Sequence, residues 1–135
     1  MKLKNLSYVL SVFILVLSIS FIVQSKSELT KHLQEDPYAA FAETMPAPVG
    51  GLEAVIKRIV YPEMAKKVGL EGKMYLLVYV DEKGEVNDVK VIKGLGGGCD
   101  EAAEKAIKGS KFTPGKNGSV PVKVKLSLPI TFKMR

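Results

Sequence analysis

Residues 119–133 carry the most regular alternation of apolar and polar side chains in the chain. The even positions are apolar: Val122, Val124, Leu126, Leu128, Ile130 and Phe132. The odd positions hold polar residues and two prolines: Pro121, Lys123, Lys125, Ser127, Pro129, Thr131 and Lys133. A period of two places these sets on opposite faces of a β-strand. The pattern therefore predicts a strand with one buried face.

The two prolines indicate where this strand lies in its sheet. Backbone N–H groups of like parity point to the same side of a strand, and proline has no N–H to donate. A central strand would lose ladder hydrogen bonds at both Pro121 and Pro129, whereas an edge strand loses none if its odd residues face away from the sheet. We therefore predict a long edge strand whose open side can accept another chain. Lysines and prolines on an edge also protect it against aggregation.

Upstream patterns predict the rest of a small domain. Helical spacing and β-forming runs predict helices over 52–59, 62–68 and 100–108 and strands over 72–80 and 86–92. Gly84 supplies the hairpin turn between the two strands, and Asp100 is the expected N-cap of the last helix. The order α-α-β-β-α-β predicts an α+β domain with a small three-stranded antiparallel sheet and helices packed on one face.

An apolar segment precedes this domain. The run 6–23 carries no charge and follows Lys2 and Lys4. It predicts a membrane anchor or a cleaved export signal, with the chain beyond it outside the cytoplasm. This placement argues against nucleic acid as a partner. We divide the chain into the membrane or signal segment 1–25, a proline-containing linker 26–50 and a folded domain 51–135.

Charge and candidate chemistry favour binding over catalysis. The net charge is +6, and residues 109–135 contain basic residues but no acid, which favours acidic partners. Cys99 and His32 are the sole cysteine and histidine, so the sequence holds no disulfide, nucleophile–base pair or metal set. The glycine-rich loop 94–98 lacks the Lys-Ser/Thr of a P-loop. We expect no catalytic residues, no cofactor, no metal ion and a buried Cys99.

An ordered set of motifs between residues 49 and 133 resembles the C-terminal domain of TonB-type energy transducers. The set comprises Tyr61, Pro62, Ala65, Gly69, Gly72, Gly84, Asp100, Ala102, Ala103, Phe112, Pro114, Pro121, Pro129 and Phe132. The resemblance implies a single-pass inner-membrane protein with its C-terminal domain in the periplasm. It also implies that the last strand pairs with the N-terminal peptide of an outer-membrane TonB-dependent receptor. Force from an ExbB–ExbD-type inner-membrane motor then opens the receptor for siderophores, cobalamin or glycans.

The partner-binding residues implied by this resemblance lie on the predicted edge strand. They are Val122, Lys123, Val124, Lys125, Leu126, Ser127, Leu128 and Thr131. Strand addition uses backbone hydrogen bonds for affinity. We therefore expect the four odd residues of this set to present free N–H and C=O groups outward.

Three functional hypotheses remain at this point. The first is the energy transducer, and the second is a periplasmic interaction or scaffold module with the same fold but no coupling to the motor. The run 6–23 lacks the histidine that the resemblance implies for a motor-coupled anchor, and the linker is short, which favours the second. The third is a stable domain whose edge is merely protected. Signal cleavage would leave a soluble periplasmic protein, and the edge could also pair with its own copy in a homodimer.

Overall fold

The structure is a computed structural model that describes residues 2–32 and 36–134, with side-chain exposure over 5–20 and 36–134. Its elements are α1 (Lys2–His32), β1 (Ala47–Pro48), α2 (Gly51–Arg58), α3 (Glu63–Lys67), β2 (Gly72–Val80), β3 (Val86–Lys93), α4 (Cys99–Lys108), β4 (Phe112–Thr113), β5 (Gly115–Asn117), β6 (Val120–Val122) and β7 (Val124–Phe132). The chain divides into two compact units, Met1–Asp36 and Pro37–Arg135. Residues 33–35 of the predicted linker lie outside the described residues.

The first unit contains α1. Its large apolar side chains over residues 5–20 are exposed, from 50% for Val12 to 77% for Tyr8. The hydroxyls of Ser18 and Ser20 donate to carbonyl oxygens four residues earlier, at 2.8 and 3.0 Å, which satisfies them within the helix. The helix continues to His32, so residues 26–32 of the predicted linker are helical. Within the described residues, no helix has a stretch of the length and apolarity that crossing a membrane requires.

The second unit is built on a three-stranded antiparallel sheet with the order β3-β2-β7. β2 lies in the centre, and its pairing with β7 runs without interruption from Gly72 opposite Phe132 to Val80 opposite Val124. β7 is therefore an edge strand of this sheet. The predicted fold class, an α+β domain with a small antiparallel sheet, is confirmed.

The hydrophobic core lies between one face of the sheet and the helices. Even-numbered residues of the two longest strands point into it, including the fully buried Met74, Leu76 and Ile130. α4 contributes a stripe of four buried residues: Cys99, Ala103, Ala106 and Ile107. Each fully buried large aliphatic side chain stabilises the fold by about 1.5–3 kcal/mol. Packing of this face therefore holds β7 in place.

The β2–β3 hairpin contains a bulge near its turn and the predicted glycine in the turn itself. Tyr79 lies opposite Asp88 and Val80 opposite Val86, so β3 carries an extra residue between them, which is a bulge. Gly84 in the turn has a φ of 80°. A Cβ at this position would lie 2.0 Å from the carbonyl oxygen of Phe112, so the turn requires glycine for its conformation and for space.

Asp100 does not have the capping role predicted for it. α4 begins one residue earlier, at Cys99, and its N-cap is Gly98 in the left-handed conformation with φ 84°. The Asp100 carboxylate instead accepts hydrogen bonds from the backbone N–H groups of Leu95 and Gly96, at 2.8 and 3.4 Å. Because glycine adopts the left-handed region at low cost, Gly98 frees Asp100 to fasten the loop before the helix.

The predicted single strand over residues 119–133 is interrupted. β6 forms a hairpin with β5, in which Val122 lies opposite Gly115, and β7 begins only at Val124. A two-residue turn joins these short strands, and so local a pairing costs little loop-closure entropy. Val122 therefore lies outside the edge of the main sheet, and Lys123 lies between the two strands.

Much of the predicted linker is part of the compact unit. β1 pairs with β4, Thr44 bridges to Lys116, and Ala39 bridges to Val124. The second compact unit begins at Pro37, whereas the sequence predicts a folded domain from residue 51. No sequence pattern marks these contacts, because isolated one- and two-residue pairings impose no period on the chain.

Candidate functional site

The side of β7 that faces away from β2 is the candidate site. On this side the backbone N–H of Lys125 donates to the carbonyl oxygen of Ala39, and the N–H of Ala39 donates to the carbonyl oxygen of Lys123, both at 2.9 Å. Ala39 thus forms a parallel bridge with Val124. Because backbone groups alternate along a strand, the N–H and C=O groups of the later odd residues also point outward.

Pro129 fits this geometry. It lies opposite Tyr75 of β2, and its odd position directs the missing donor away from that strand. The ladder between β2 and β7 therefore loses no hydrogen bond at Pro129. The loss falls on the outer edge, which has one donor fewer than an ordinary strand.

The outer edge of β7 has an occupied part and an open part. Ala39 occupies the part at Lys123 and Lys125, so the prediction that these two residues present free outward groups is wrong for the Lys123 C=O and the Lys125 N–H. Beyond them, no strand among the described residues pairs with residues 127–131 on this side. We call residues 127–131 the open edge. It offers the N–H and C=O groups of Ser127 and Thr131 and the C=O of Pro129.

Side chains along the open edge alternate as the sequence predicts. Leu128 and Ile130 are buried against the helices, whereas Ser127, Pro129 and Thr131 are exposed on the opposite face of the sheet. The register places the β2 residues Leu77, Tyr75 and Lys73 beside these exposed three. A strand added at the open edge would therefore lie beside both polar and apolar side chains on this face of the sheet.

The end of β7 adjoins a groove of about 530 Å³ lined by Ile56, Lys57, Tyr61, Lys66, Lys133 and Met134. The Tyr61 ring packs edge to face on Phe132, with 5.4 Å between ring centroids, and its hydroxyl donates to the carbonyl oxygen of Leu70. Burial raises the pKa of the Tyr61 hydroxyl, and the neighbouring Cys99 and Glu71 raise it further. Two residues of the sequence motif set, Tyr61 and Phe132, thus meet in the structure.

Cys99 is fully buried at the start of α4. Burial raises the pKa of its thiol, and the carboxylates of Asp100 and Glu101 raise it further. A raised pKa keeps the thiol protonated and unreactive, which fits the predicted role as a small core residue. The described residues contain no cluster of histidine, cysteine and acidic side chains able to hold a metal ion.

The comparison with known families decides the classification. The family described as Gram-negative bacterial TonB protein C-terminal matches residues 57–134, which is more than half of the chain. This chain belongs to the TonB C-terminal family. The resemblance drawn from the motif set is therefore confirmed. TonB proteins are energy transducers, so the expectation that the chain is not an enzyme is confirmed as well.

Two curated TonB relatives match the same part of the chain. Protein tonB2 of Pseudomonas aeruginosa is 37% identical over 75 residues, and Protein TonB of Vibrio cholerae is 33% identical over 75 residues. Each match covers 55% of this chain. The first match covers 28% of the Pseudomonas protein and the second covers 31% of the Vibrio protein, so this chain spans less than a third of either relative.

Solved TonB domains are also similar to this chain. The solution structure of the Helicobacter pylori TonB C-terminal domain, residues 194–285 of that protein, is 27% identical with a TM-score of 0.47. That likeness covers 60% of this chain and 86% of the Helicobacter domain. The solution structure of the Pseudomonas aeruginosa TonB domain is 21% identical with a TM-score of 0.46, covering 76% of this chain and 91% of that domain.

Proposed function

We propose that this chain is a TonB-like energy transducer whose C-terminal domain binds an extended peptide of an outer-membrane receptor. The peptide adds as a strand to the open edge of β7. The observation that carries this proposal is the open edge itself, where the outward groups of Ser127 and Thr131 meet no strand among the described residues. Membership in the TonB C-terminal family supports a transducer.

The apolar run 6–23 supplies the membrane segment of the proposal. It lies within α1, which in the described residues does not reach the length and apolarity of a membrane-crossing helix, so its proposed membrane role rests on the uncharged run and the two lysines before it. The N-terminal lysines favour a cytoplasmic N-terminus and a periplasmic C-terminal domain. In this arrangement an ExbB–ExbD-type motor acts on α1, and the receptor peptide is bound at the other end of the chain.

The hydrogen bonds of the open edge determine how much free energy it can contribute to peptide binding. Its two N–H and three C=O groups each give about 0.5–1.5 kcal/mol net when hydrogen-bonded, or about 5 kcal/mol together. Association costs about 4–15 kcal/mol in lost freedom, so backbone bonds alone leave the complex weak. Contacts with the exposed row of Ser127, Pro129 and Tyr75 must add affinity. A weak, reversible contact suits a partner that is repeatedly engaged and released.

A second candidate function is favoured by the short spacer. α1 ends at His32 and the compact unit begins at Pro37, which leaves little chain between them. A periplasmic interaction or scaffold module would use the same edge without any coupling to the motor. Co-purification of the full chain with ExbB–ExbD-type proteins from membranes distinguishes the candidates. The transducer requires it, whereas the scaffold module does not.

A peptide titration tests the binding proposal. The full chain, labelled with ¹⁵N in detergent micelles, is titrated with synthetic peptides from the N-terminal segments of receptors of the same organism. We expect the amides of Ser127 and Thr131 to shift and to become protected from hydrogen exchange. If no peptide perturbs these amides, the binding proposal is wrong.

A matched pair of variants at one position separates backbone from side chain. Ser127→Pro removes one outward N–H but no ladder bond to β2, and we expect about a tenfold loss of peptide affinity. Ser127→Ala keeps the N–H and should bind within about twofold of the natural chain. Equal losses in the two variants would assign the effect to the hydroxyl and count against strand addition.

A further inference from the structure

A short segment of the chain already lies along the edge of β7. Residues 37–40, which we call the strap, run parallel to the start of the strand at Val124. Two backbone hydrogen bonds of 2.9 Å join Ala39 to the outward groups of Lys123 and Lys125. These are the same kind of bonds, on the same side of the strand, that an added peptide would form at the open edge.

Side-chain contacts fasten the strap across the open face of the sheet. The Tyr38 ring packs edge to face on Tyr79, with 5.1 Å between ring centroids and an interplanar angle of 86°. The Tyr38 hydroxyl accepts a 2.7 Å hydrogen bond from the side-chain amide of Asn87. The Lys123 ammonium lies 5.9 Å from the centre of the Tyr38 ring. One aromatic residue thus connects the strap to three parts of the domain.

The strap adds little to the hydrophobic core. Ala39 and Ala40 are exposed, and Phe41, which follows them, is 75% exposed. The first buried residue after the strap is Ala42, and a separate pairing of Thr44 with Lys116 holds the chain beyond it. The strap can therefore lift from β7 while the contacts from Ala42 onward remain in place.

The outward groups of β7 form one continuous row. The strap occupies the start of this row, and the open edge begins directly after it, at Ser127. A peptide confined to residues 127–131 fits beside the strap. A longer strand that follows the whole of β7 requires the positions that Ala39 holds, so the two cannot be bound together.

We infer that the strap is an intrachain competitor for the edge of β7, which a long partner strand displaces. This inference rests on the proposed function. A long partner binds only those molecules in which the strap has lifted from β7. Its apparent affinity is therefore its intrinsic affinity multiplied by the fraction of such molecules. A short partner that pairs with the open edge alone does not meet this competition.

The decisive variant is Ala39→Pro, which removes the N–H that bonds to Lys123. Its matched control is Thr44→Pro, which removes the 2.9 Å bond from the Thr44 N–H to Lys116, in the same stretch of chain but away from β7. The probes are the tightest-binding receptor peptide from the titration above, extended to cover all of β7, and a truncated version that covers the open edge alone. Binding to the full chain in micelles is measured by NMR and calorimetry.

We expect Ala39→Pro to raise the affinity for the long peptide about fivefold to tenfold and to change that for the truncated peptide less than about twofold. Because the Lys125 N–H already bonds to Ala39, displacement should appear as a change in the Lys125 amide chemical shift when the long peptide binds, and the truncated peptide should leave this shift unchanged. Thr44→Pro should change neither affinity. Tyr38→Ala, which keeps every backbone donor, should act in the same direction as Ala39→Pro.

Each contrary result has a distinct meaning. If the long peptide binds the natural chain and Ala39→Pro equally well, the strap does not compete, while the proposed function stands. If Thr44→Pro has the same effect as Ala39→Pro, general loosening of the segment explains the gain and the inference is wrong. If neither peptide binds any variant, both the proposed function and the inference are wrong.

Discussion

The backbone N–H of Lys125 donates a 2.9 Å hydrogen bond to the carbonyl oxygen of Ala39, on the side of β7 opposite to β2. This bond shows that the backbone N–H and C=O groups of the odd residues in β7 point away from β2. It places the missing N–H of Pro129 on the outer edge and leaves the main ladder intact. It also shows that part of the edge already has an occupant.

Replacing Pro129 by valine adds a donor to the open edge. Pro129 is exposed, so the substitution leaves the core unchanged and completes the row of outward N–H groups. We expect receptor-peptide affinity to rise about threefold to tenfold. Self-association should rise as well, because a fuller edge pairs more readily with its own copy. Titration and sedimentation velocity measure the two effects.

Pro121→Val is the matched control for this change. Pro121 has the same parity and is also exposed, but it lies in β6 opposite Lys116. We expect it to alter neither peptide affinity nor self-association. If Pro129→Val promotes self-association while no peptide binds either protein, the edge is merely protected and binding is not its function.

Adjacent residues of β7 should differ sharply in their contribution to stability. Ile130 is fully buried, and Ile130→Ala should lower the free energy of unfolding by about 2–5 kcal/mol. Thr131 is exposed, and Thr131→Ala should cost less than about 1 kcal/mol. Urea unfolding followed by tyrosine fluorescence measures both. Similar losses in the two variants would contradict the inward and outward faces assigned to this strand.

The hairpin turn at Gly84 should not tolerate a side chain. Gly84→Ala places a Cβ 2.0 Å from the Phe112 carbonyl oxygen and strains a φ of 80°. It also disturbs the 2.9 Å bond from the Phe112 N–H to the Gly84 carbonyl. We expect a loss of about 3 kcal/mol or more in the free energy of unfolding. The same unfolding experiment measures it.

Gly118→Ala is the control for backbone strain alone. Gly118 has a φ of 61°, and no heavy atom lies within 4 Å of an added Cβ. We expect it to cost about 1 kcal/mol. If both glycine variants lose the same stability, the close approach of Phe112 is not what requires glycine at position 84.

Ionisation of Cys99 should weaken the fold at alkaline pH. Burial raises the pKa of its thiol above that of the unfolded chain. Between the two pKa values the unfolded state binds fewer protons than the folded state, so the free energy of unfolding falls as pH rises above about 8.5. Cys99→Ala should flatten this decline, although it also lowers stability at pH 7 by removing a buried sulfur.

Thiol labelling provides an independent measurement of the same group. In the native protein, modification of Cys99 should be slow at pH 8 and should reach the rate of a free thiol only in urea. Rapid labelling of the native protein would show that the thiol is accessible and would contradict the burial assigned to it.

Local sequence patterns were sufficient to predict much of this fold. The alternation in residues 124–132 predicted the faces of β7, and proline parity predicted its position at the sheet edge. Glycines and helical spacing predicted α2, α3, the hairpin turn and α4 to within a few residues. These features follow from short-range geometry, because side-chain direction and donor loss depend only on neighbouring residues.

Packing in three dimensions determined how much of that edge is open. No pattern marks Ala39 as a partner of Lys123 and Lys125, because a bridge of one residue leaves no period in the sequence. The break between β6 and β7 also depends on where β5 returns, since residues of β6 satisfy their backbone groups equally well in a hairpin or in a long strand. Such pairings depend on the spatial path of distant segments. The position of β7 at the sheet edge thus follows from its local pattern, whereas the occupation of part of that edge by Ala39 follows from the tertiary structure.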